Sequence, residues 1–584
     1  MERRATMGPR PKCDRRKFLC AAGAAAGVSL ASRFPCWGAG ATALPDFKVL
    51  TLEQQVGQLV IARLQDWSLM ERYAKQGLIS GMTPSLTKRS LAEVAEFTNR
   101  FQRLSPIPLL FGWGGHSYAG GAEVRLNQVM RLAATRSADL CRQAARLEAR
   151  QSRAVGFQLA STPNLDVNLN PENTIINLRS LGDNVDLVIE LGSALARGTL
   201  EGGTAPIFMH FPGHGASSGD SHMEMPEVAR SLAEMEAVEL QPFAELIRRG
   251  LARVICTNHC YYPAWEPSRK IPATLSRAII TGVLREKLGY TGVIMSDSLT
   301  MRPIKDQYGI EEAAIETVAA GHDLILQDYN SDPKITIDAL ARAVRQGRIP
   351  LAQVEQSVRR VWKLKEELGL FQNRLVDVAK VPEVFDADAH AELVQRIARE
   401  SVTVLENRGG TLRAGEPREV LVISNGSSAT VEQDMAVKHS PTNRCLNQRI
   451  EQRVPGVKTL VLSTSMERAE IDAAWAAVQR AEVVVFGLFT RVRSYVKEAI
   501  RLAEPYRQLI ERAAGAGRNT ALLNFGNPYV MGELPKAGFA LCTFSDAEES
   551  IEAAVQVLCG EVKAQGKLPV RISDAYPFGY GRTT

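Results

Sequence analysis

The chain has 584 residues and a formal net charge of +6, with apolar and charged fractions typical of a soluble globular protein. This length exceeds what one hydrophobic core usually supports, so we expect at least two domains. Residues 1–41 carry eight basic and two acidic side chains and hence the whole net charge, so the remainder gives no electrostatic case for binding nucleic acid or an anionic membrane.

Residues 1–43 predict an export signal. Arg15 and Arg16 precede an uncharged stretch rich in alanine and glycine at 18–32, and small residues follow in GAGATA. This order favours a cleavable signal of the twin-arginine type, which leads to the periplasm or the cell exterior. A mitochondrial-type presequence and a disordered basic tail are the alternatives. The stretch is short and weakly apolar for a membrane-spanning helix, so no stable membrane span is predicted.

Residues 44–340 are predicted to form a TIM-type barrel. Short apolar runs alternate there with amphipathic helical segments. The runs that we interpret as buried strands are LVIAR, LISGM, PLLFGW, FQLAS, PIFMHF, RVICTNH, GVIMSD and DLILQ. About eight strand–helix units favour a (β/α)8 barrel. A doubly wound sheet is the alternative, because periodicity alone does not close a barrel.

Residues 341–414 are mostly helical and charged in pattern, and we interpret them as a helical connector. A second alternation begins near Glu419. Its predicted strands are EVLVISN, KTLVLST, AEVVVFGL, TALLNFG and FALCTF. Residues 415–584 should therefore form a smaller α/β sandwich domain, and the predicted fold class is α/β throughout.

The stretch HFPGHGASSGDSH, from His210 to His222, concentrates reactive side chains and holds three of the chain's eight histidines. One interpretation is a metal site made of His210, His214, Asp220 and His222, although a proline and two glycines prevent the helix that usually carries H-x-x-x-H ligands. A second is a serine hydrolase, because GASSG matches G-x-S-x-G. That motif needs a helix directly after it, and none is expected here.

The third interpretation is proton transfer. Asp220 and His222 are two residues apart, and side chains at i and i+2 point the same way in an extended segment. The carboxylate could hold one imidazole nitrogen and leave the other for a substrate. Asp297 is a candidate reaction partner, because it ends the strand GYTGVIMSD and the C-terminal ends of barrel strands build the active face. A helix N-cap or a turn residue is the alternative role for Asp297.

These two segments resemble glycoside hydrolase family 3, and specifically its β-N-acetylhexosaminidase branch. That branch carries KHFPGHGxxxxDSH and GFxGVxxSDxLxM, where this chain has MHFPGHGASSGDSH and GYTGVIMSDSLTM. The resemblance covers nearly all of residues 50–584 in the family's order. It runs from LTLEQQVGQLV through TPNLDVNLNPENTIINLRSLGDN to ESVTVLEN and GKLPV.

The resemblance implies a retaining, exo-acting β-N-acetylhexosaminidase that acts on cell-wall or chitin fragments containing N-acetylglucosamine. Asp297 would be the nucleophile, His222 would act first as acid and then as base, and Asp220 would orient His222. The implied partner is a carbohydrate substrate, with no nucleic acid, no metal and no organic cofactor. The oligomeric state is not defined by the sequence.

The resemblance also implies that Arg179, His210 and Arg125 bind the sugar, whereas His214 would brace the glycine-rich loop. A surface salt bridge is the alternative for Arg179, and an ordinary charge on a helix face is the alternative for Arg125.

Two positions depart from the family pattern. Met209 replaces the family's lysine, and the family's D-x-E-G-G is replaced by FGWGGHSYAGG, so that Gly114 or Ser117 stands where a sugar-binding aspartate is expected. Charged hydrogen bonds contribute about 1.5–3 kcal/mol each, so the loss of these two contacts would weaken recognition of the expected sugar. A β-glycosidase of different sugar specificity is therefore one alternative. A glycoside phosphorylase is another, because a neutral imidazole repels an anionic acceptor less than a carboxylate does. A non-catalytic sugar-binding protein is the third, but the intact Asp297 and Asp-x-His motif favour an enzyme.

Overall fold

The structure is a computed structural model that describes residues 49–86, 89–112, 128–408, 412, 419–425, 441–463, 466–493 and 496–583. The predicted signal at 1–43 lies outside these ranges, as do Arg125, Gly114 and Ser117. Within the described ranges, no helix combines the length and the apolarity that crossing a bilayer requires.

Eight short parallel strands form a barrel in the first domain. They are β1 (Val60–Ala62), β2 (Gly81–Met82), β3 (Leu110–Phe111), β4 (Leu159–Ala160), β5 (Ala205–Phe211), β6 (Val254–Thr257), β7 (Val293–Ser298) and β8 (Leu324–Leu326). Their hydrogen-bonded order is β3-β2-β1-β8-β7-β6-β5-β4, and a parallel bridge between Gly112 and Leu159 brings the two ends together. The predicted barrel is confirmed, and the doubly wound sheet is wrong.

The barrel interior is filled by side chains at alternating strand positions, as in other barrels of this type. Ile207 and Met209 on β5 and Val293 and Met295 on β7 belong to one buried apolar cluster. Lys365, from a helix after the barrel, donates through Nζ to Gln58 Oε1 at 2.9 Å, two residues before β1. That helix therefore lies across the N-terminal end of the barrel, and the opposite, C-terminal end carries the site described below.

Helices surround the barrel and continue beyond it. They are α1 (Leu52–Gly57), α2 (Trp67–Lys75), α3 (Leu91–Leu104), α4 (Met130–Ala134), α5 (Ala138–Ala154), α6 (Val185–Glu201), α7 (Leu232–Ala237), α8 (Leu240–Arg248), α9 (Arg302–Ala320), α10 (Pro333–Arg345), α11 (Leu351–Glu367), α12 (Val381–Val384) and α13 (Ala387–Ser401). A π-type helix covers Ala278–Lys287, and a 3-10 helix covers Asn177–Arg179. Local sequence fixes several starts, because Thr51, Ser90 and Ser231 form capping boxes at α1, α3 and α7.

The second domain is a six-stranded sheet between two helical layers. Its strands are β9 (Thr403–Asn407), β10 (Val420–Asn425), β11 (Lys458–Leu462), β12 (Val483–Leu488), β13 (Asn519–Asn524) and β14 (Phe539–Cys542). Their order is β11-β10-β12-β13-β14-β9, with β9 antiparallel to β14 and the other pairs parallel. Its helices are α14 (Pro441–Glu451), α15 (Arg468–Arg480), α16 (Glu504–Gly515) and α17 (Glu548–Leu558). The predicted α/β sandwich is confirmed.

Each face of this sheet has its own core. Side chains of α13, α14 and α17 pack on one face, and side chains of α15 and α16 pack on the other. The second core also contains Met130, Ala134 and Leu178 from the first domain, so the two domains share a hydrophobic core. Strand β9 was not predicted, because it lies inside the range interpreted as a helical connector.

Candidate active site

The loop that follows β5 is packed against the barrel by its glycines. His210 lies at the end of β5, and the chain then turns at Gly213, whose φ is 133°. A Cβ at Gly215 would stand 1.8 Å from the carbonyl oxygen of Val167. Glycine at these positions therefore allows a close backbone approach that holds the loop over the barrel end.

The first functional cluster joins Asp166, His210 and Arg179. The Asp166 carboxylate accepts hydrogen bonds from His210 Nδ1 at 2.7 Å, from the His210 backbone N–H at 3.2 Å and from the His214 backbone N–H at 2.7 Å. Arg179 Nη2 lies 3.3 Å from His210 Nε2. Because a guanidinium can only donate, Nε2 accepts and Nδ1 carries the proton given to Asp166. His210 therefore orients the Arg179 guanidinium.

The charges in this cluster reinforce one another. Burial by itself would raise the pKa of Asp166, but its electrostatic interaction and hydrogen bond with His210, followed by those with His214, outweigh burial and hold that pKa below its ordinary value. Burial lowers the pKa of Arg179, and the negative charges of Asp166 and Asp297 oppose this shift. The guanidinium thus lies within electrostatic reach of both carboxylates.

His214 is a structural member of the loop. Its Nδ1 lies 2.7 Å from Ser217 Oγ and its Nε2 lies 2.9 Å from Ser221 Oγ. Burial lowers the pKa of His214 to about 4. Ser217 is completely buried, which argues against a nucleophilic serine in GASSG because a substrate could not reach it.

The metal interpretation also receives no support from the geometry. Within the described part of the chain, no group of three or more His, Cys, Asp or Glu side chains has an arrangement that could hold a metal ion. The ring nitrogens of His210 and His214 are engaged by Asp166, Arg179 and two serines.

The second functional cluster is the Asp220–His222 pair. Asp220 Oδ1 accepts from His222 Nδ1 at 2.8 Å and from the His222 backbone N–H at 2.9 Å. The two residues lie in a turn rather than in the predicted extended segment, and the contact of an aspartate with the N–H two residues later is an Asx turn. The predicted pairing is present, but the predicted backbone geometry is wrong. The Asp220 side chain is 1% exposed and the His222 side chain 25%.

Asp297 lies on β7, close to the C-terminal end of that strand. Burial alone would raise its pKa, but the histidines around it, with His259 foremost and His210 and His222 after it, hold the pKa below its ordinary value. The Ser298 backbone N–H also donates to Asp297 Oδ1 at 2.6 Å. Helix α9 has Met301 at its N-cap, so Asp297 does not cap that helix. Its carboxylate is negatively charged, as a nucleophile must be.

The end of β6 supports the His210 loop and the strand that carries Asp297. Asn258 Nδ2 donates to the His210 carbonyl at 3.0 Å, and the Tyr262 hydroxyl donates to the Gly213 carbonyl at 2.7 Å. His259 Nε2 lies 3.0 Å from the Ser298 carbonyl. The segment TNHCYY therefore links the His210 loop to the strand that carries Asp297.

The second domain contacts the segment that carries Arg179. Asn177 Nδ2 donates to Asn527 Oδ1 at 3.1 Å, and Asn168 Nδ2 donates to the Tyr529 hydroxyl at 2.7 Å. Leu178, next to Arg179, is buried in the core shared by the two domains. One effect of the second domain is thus to hold Arg179 in place.

The second domain also contacts the turn of the Asp220–His222 pair. Lys497 Nζ donates to Glu224 Oε1 at 2.6 Å. This contact is the main cause that raises the pKa of Lys497, and the negative charge of Asp220 adds to it. Glu224 folds over Gly219, where an added Cβ would stand 2.6 Å from Glu224 Oε1. The Arg302 N–H bonds the His222 carbonyl at 3.3 Å, which joins the same turn to the start of α9.

Met209 lies under the site rather than in it. It is 2% exposed and belongs to the apolar cluster inside the barrel. The thioether fills the top of the barrel core at the position where the family pattern has a charged donor.

The structure brings together five of the six residues predicted for the site, namely Asp297, His222, Asp220, Arg179 and His210. Arg125 lies outside the described residues. Sequence reasoning missed Asp166, His259 and Lys497. Asp166 was part of the quoted segment TPNLDVNLN, but no local spacing connects it to His210, 44 residues later.

A barrel with a charged site at the C-terminal ends of its strands is the architecture of an enzyme, and comparison with known proteins defines the class. Residues 51–364 match the glycosyl hydrolase family 3 N terminal domain, and residues 336–577 match the glycosyl hydrolase family 3 C-terminal domain. The chain belongs to glycosyl hydrolase family 3 and is a glycoside hydrolase.

Three similar proteins place the chain more narrowly within the family. Beta-hexosaminidase A of Pseudoalteromonas piscicida is 27% identical and covers 72% of this chain and 74% of its own length. A beta-N-acetylglucosaminidase/beta-glucosidase of Cellulomonas fimi is 25% identical over 85% of this chain and 89% of its own. The solved family 3 beta-N-acetylglucosaminidase of Paenibacillus sp. is 28% identical, with a TM-score of 0.76 over 90% of this chain and 99% of its own. The resemblance to beta-hexosaminidases is therefore confirmed.

Proposed function

We propose that the protein is a retaining, exo-acting β-N-acetylhexosaminidase that removes N-acetylglucosamine from cell-wall or chitin fragments. The observation that carries this proposal is the Asp220–His222 pair, a partly exposed imidazole held by a buried carboxylate, near the charged carboxylate of Asp297. The beta-hexosaminidases among the similar proteins support the choice of sugar.

The reaction has two steps. Asp297 attacks the anomeric carbon, the bond to the leaving oxygen breaks, and His222 gives its proton to that oxygen. A water molecule then attacks the covalent glycosyl-enzyme, His222 takes the proton of that water, and the Asp297 carboxylate is released. Asp220 orients the imidazole and stabilises its charged form in the first step.

The sugar that is cleaved binds at the barrel end, where Arg179 provides a charged donor oriented by His210. An arginine with an oriented guanidinium recognises hydroxyl and carbonyl oxygens strongly, because its hydrogen bonds are charge-assisted. Since Met209 is buried beneath the site and provides no donor where the family pattern has a lysine, we expect weaker discrimination among sugars.

The first experiment is hydrolysis of a panel of nitrophenyl β-glycosides by the full-length protein. The N-acetylglucosaminide should be cleaved fastest, and the first product seen by NMR should be the β-anomer. Asp297→Asn should lower kcat by roughly three powers of ten or more, whereas Asp306→Asn, which changes an exposed carboxylate on α9, should not.

Four outcomes would contradict parts of this proposal. Preference for another sugar would assign a different specificity, and inorganic phosphate that converts the product to a sugar phosphate would assign phosphorolysis. Binding of sugars without any turnover would assign a non-catalytic binding protein. A glycosyl-enzyme detected by mass in Asp297→Asn would reject Asp297 as nucleophile.

We also propose that residues 1–43 direct export by the twin-arginine route. The paired Arg15 and Arg16 before a weakly apolar stretch support this. A double Arg15→Lys and Arg16→Lys variant should accumulate inside the producing cell while the wild type is exported and shortened. Equal export of both would reject the twin-arginine assignment.

A further inference from the structure

One aromatic side chain at the barrel mouth has no part in the chemistry proposed above. Tyr329 follows β8 in the segment LQDYNSDP and is 45% exposed. Among the described residues the other exposed aromatic side chain is Phe578, in the second domain. Tyr329 therefore stands out by its position, at the C-terminal end of a barrel strand.

The Tyr329 ring rests on a buried arginine. The Arg63 guanidinium carbon lies 3.3 Å from the ring centroid, and Arg63 is 3% exposed. Arg63 Nη1 donates to the hydroxyl of Ser298, the residue after Asp297. One face of the ring is thus covered by a group that is itself anchored beside the proposed nucleophile.

The loop that carries Tyr329 is also fixed. Asp328 Oδ1 accepts from the Asn330 backbone N–H at 3.2 Å, and Asp328 Oδ2 accepts from the Ser331 hydroxyl at 2.6 Å. Lys305 Nζ lies 3.4 Å from the same carboxylate. An exposed aromatic ring on a loop held in this way loses little conformational entropy when a ligand binds it.

Strand order places this ring next to the reaction centre. Strands β1, β8 and β7 are neighbours in the sheet, and they lead to Arg63, Tyr329 and Asp297 respectively. Neighbouring strands are about 5 Å apart, which is close to the width of a sugar ring. Tyr329 therefore lies at the rim next to Asp297, across the barrel mouth from the strands β4 and β5 that lead to Asp166 and His210.

We propose that Tyr329 is a stacking platform for the leaving-group sugar of a β-linked oligosaccharide. This inference rests on the proposed function, because an exo-acting enzyme buries the sugar that it cleaves and leaves the next sugar at the rim. The C–H face of a pyranose packs on the exposed face of an aromatic ring, where apolar area is removed from water. Arg63 holds the ring in the orientation for this contact.

The test compares two substrates that differ in the leaving group. The disaccharide of β-linked N-acetylglucosamine has a sugar to stack on Tyr329, whereas N-acetylglucosaminyl fluoride has none. In the full-length protein, Tyr329→Ala should lower the ratio of kcat/KM for the disaccharide to kcat/KM for the fluoride by roughly tenfold, equal to about 1.4 kcal/mol. The change should come mainly from KM, and Tyr329→Phe should retain the wild-type ratio.

Phe578→Ala provides the matched control. Phe578 is 37% exposed and also rests on an arginine, with the Arg136 guanidinium carbon 4.3 Å from its centroid, but it belongs to the second domain and follows no barrel strand. In Phe578→Ala, the ratio of kcat/KM for the disaccharide to kcat/KM for the fluoride should equal that of the wild type. An unchanged ratio in Tyr329→Ala, or equal losses on both substrates, would overturn the platform.

Failure of the proposed function gives a different result. If the wild type cleaves neither substrate, calorimetric binding of the disaccharide replaces turnover, and Tyr329→Ala should weaken it by about the same factor. If the wild type prefers another sugar, the disaccharide and the fluoride of that sugar are used. Equal affinity of the two proteins would again overturn the platform.

Discussion

The site contains two histidine–aspartate pairs whose contacts are similar in length and whose surroundings differ. The His210 side chain is 5% exposed beside a fully buried Asp166, whereas the His222 side chain is 25% exposed beside an Asp220 that is 1% exposed. The second ring nitrogen of His210 faces Arg179. A ring between a carboxylate and a guanidinium is suited to hold a position, and a partly exposed ring on a carboxylate is suited to exchange a proton with substrate.

The largest expected effect is a difference between the two histidines in how the loss of kcat/KM depends on the leaving group of the substrate. His222→Gln should lower kcat/KM by about a thousandfold for a disaccharide, whose leaving oxygen needs a proton. The loss should be much smaller for the glycosyl fluoride, which needs less protonation. His210→Gln should lower both by similar factors, because it disturbs Arg179. Steady-state kinetics on the two substrates measure this, and the same dependence on leaving group in both variants would remove the distinction.

Replacement of the two aspartates should separate activity from stability. Asp166→Asn removes a buried charge that accepts three N–H bonds, so the free energy of unfolding should fall by about 3 kcal/mol. Asp220→Asn should lower kcat by one to two powers of ten, by rough comparison with other general acid–base systems, with a smaller loss of stability. Denaturant unfolding and kcat on the disaccharide measure both. Equal losses of stability would mean that Asp220 is as structural as Asp166.

The contrast between the two aspartates also shows what the sequence could predict. The spacing of Asp220 and His222 is local, so their pairing was predictable, although an Asx turn and not an extended strand achieves it. The contact between Asp166 and His210 depends on how β4 and β5 lie side by side in the barrel. No local pattern records that contact, and a single carboxylate in an asparagine-rich segment gives no signal of its own.

The same distinction applies to the fold. The strands of the barrel and five strands of the second sheet were predictable, because each is a short apolar run between amphipathic helical segments. Strand β9, with the sequence TVLEN, follows directly after α13 and pairs with β14 more than a hundred residues later. Its role depends on that distant partner. The contacts of Lys497 and Asn527 with the site likewise depend on domain packing.

A third prediction concerns the pH dependence of stability and the buried His214 in the loop that carries His210. Burial lowers the pKa of His214 from 6.5 to about 4, so the unfolded chain binds this proton at a higher pH than the folded protein does. The stabilising contribution is therefore complete above pH 6.5 and is lost as the pH falls toward 4, with a loss of roughly 3 kcal/mol. The free energy of unfolding, measured across this range, should fall less steeply in His214→Gln than in the wild type. Parallel curves for wild type and His214→Gln would contradict this.

The smallest expected effect on activity concerns the ion pair between Lys497 and Glu224. Through this pair the second domain contacts the turn of the more exposed Asp220–His222 pair. Both side chains are about half exposed, at 52% and 50%, and ion pairs of this kind contribute at most about 1 kcal/mol. Lys497→Glu should therefore lower kcat/KM for the disaccharide by about fivefold or less. The loss should shrink at high salt, because the lost attraction is screened. Combining it with Glu224→Lys restores opposite charges and should recover activity. If the double variant is no better than the single one, Lys497 acts through packing, and the turn is held mainly by the bond from Arg302 to His222.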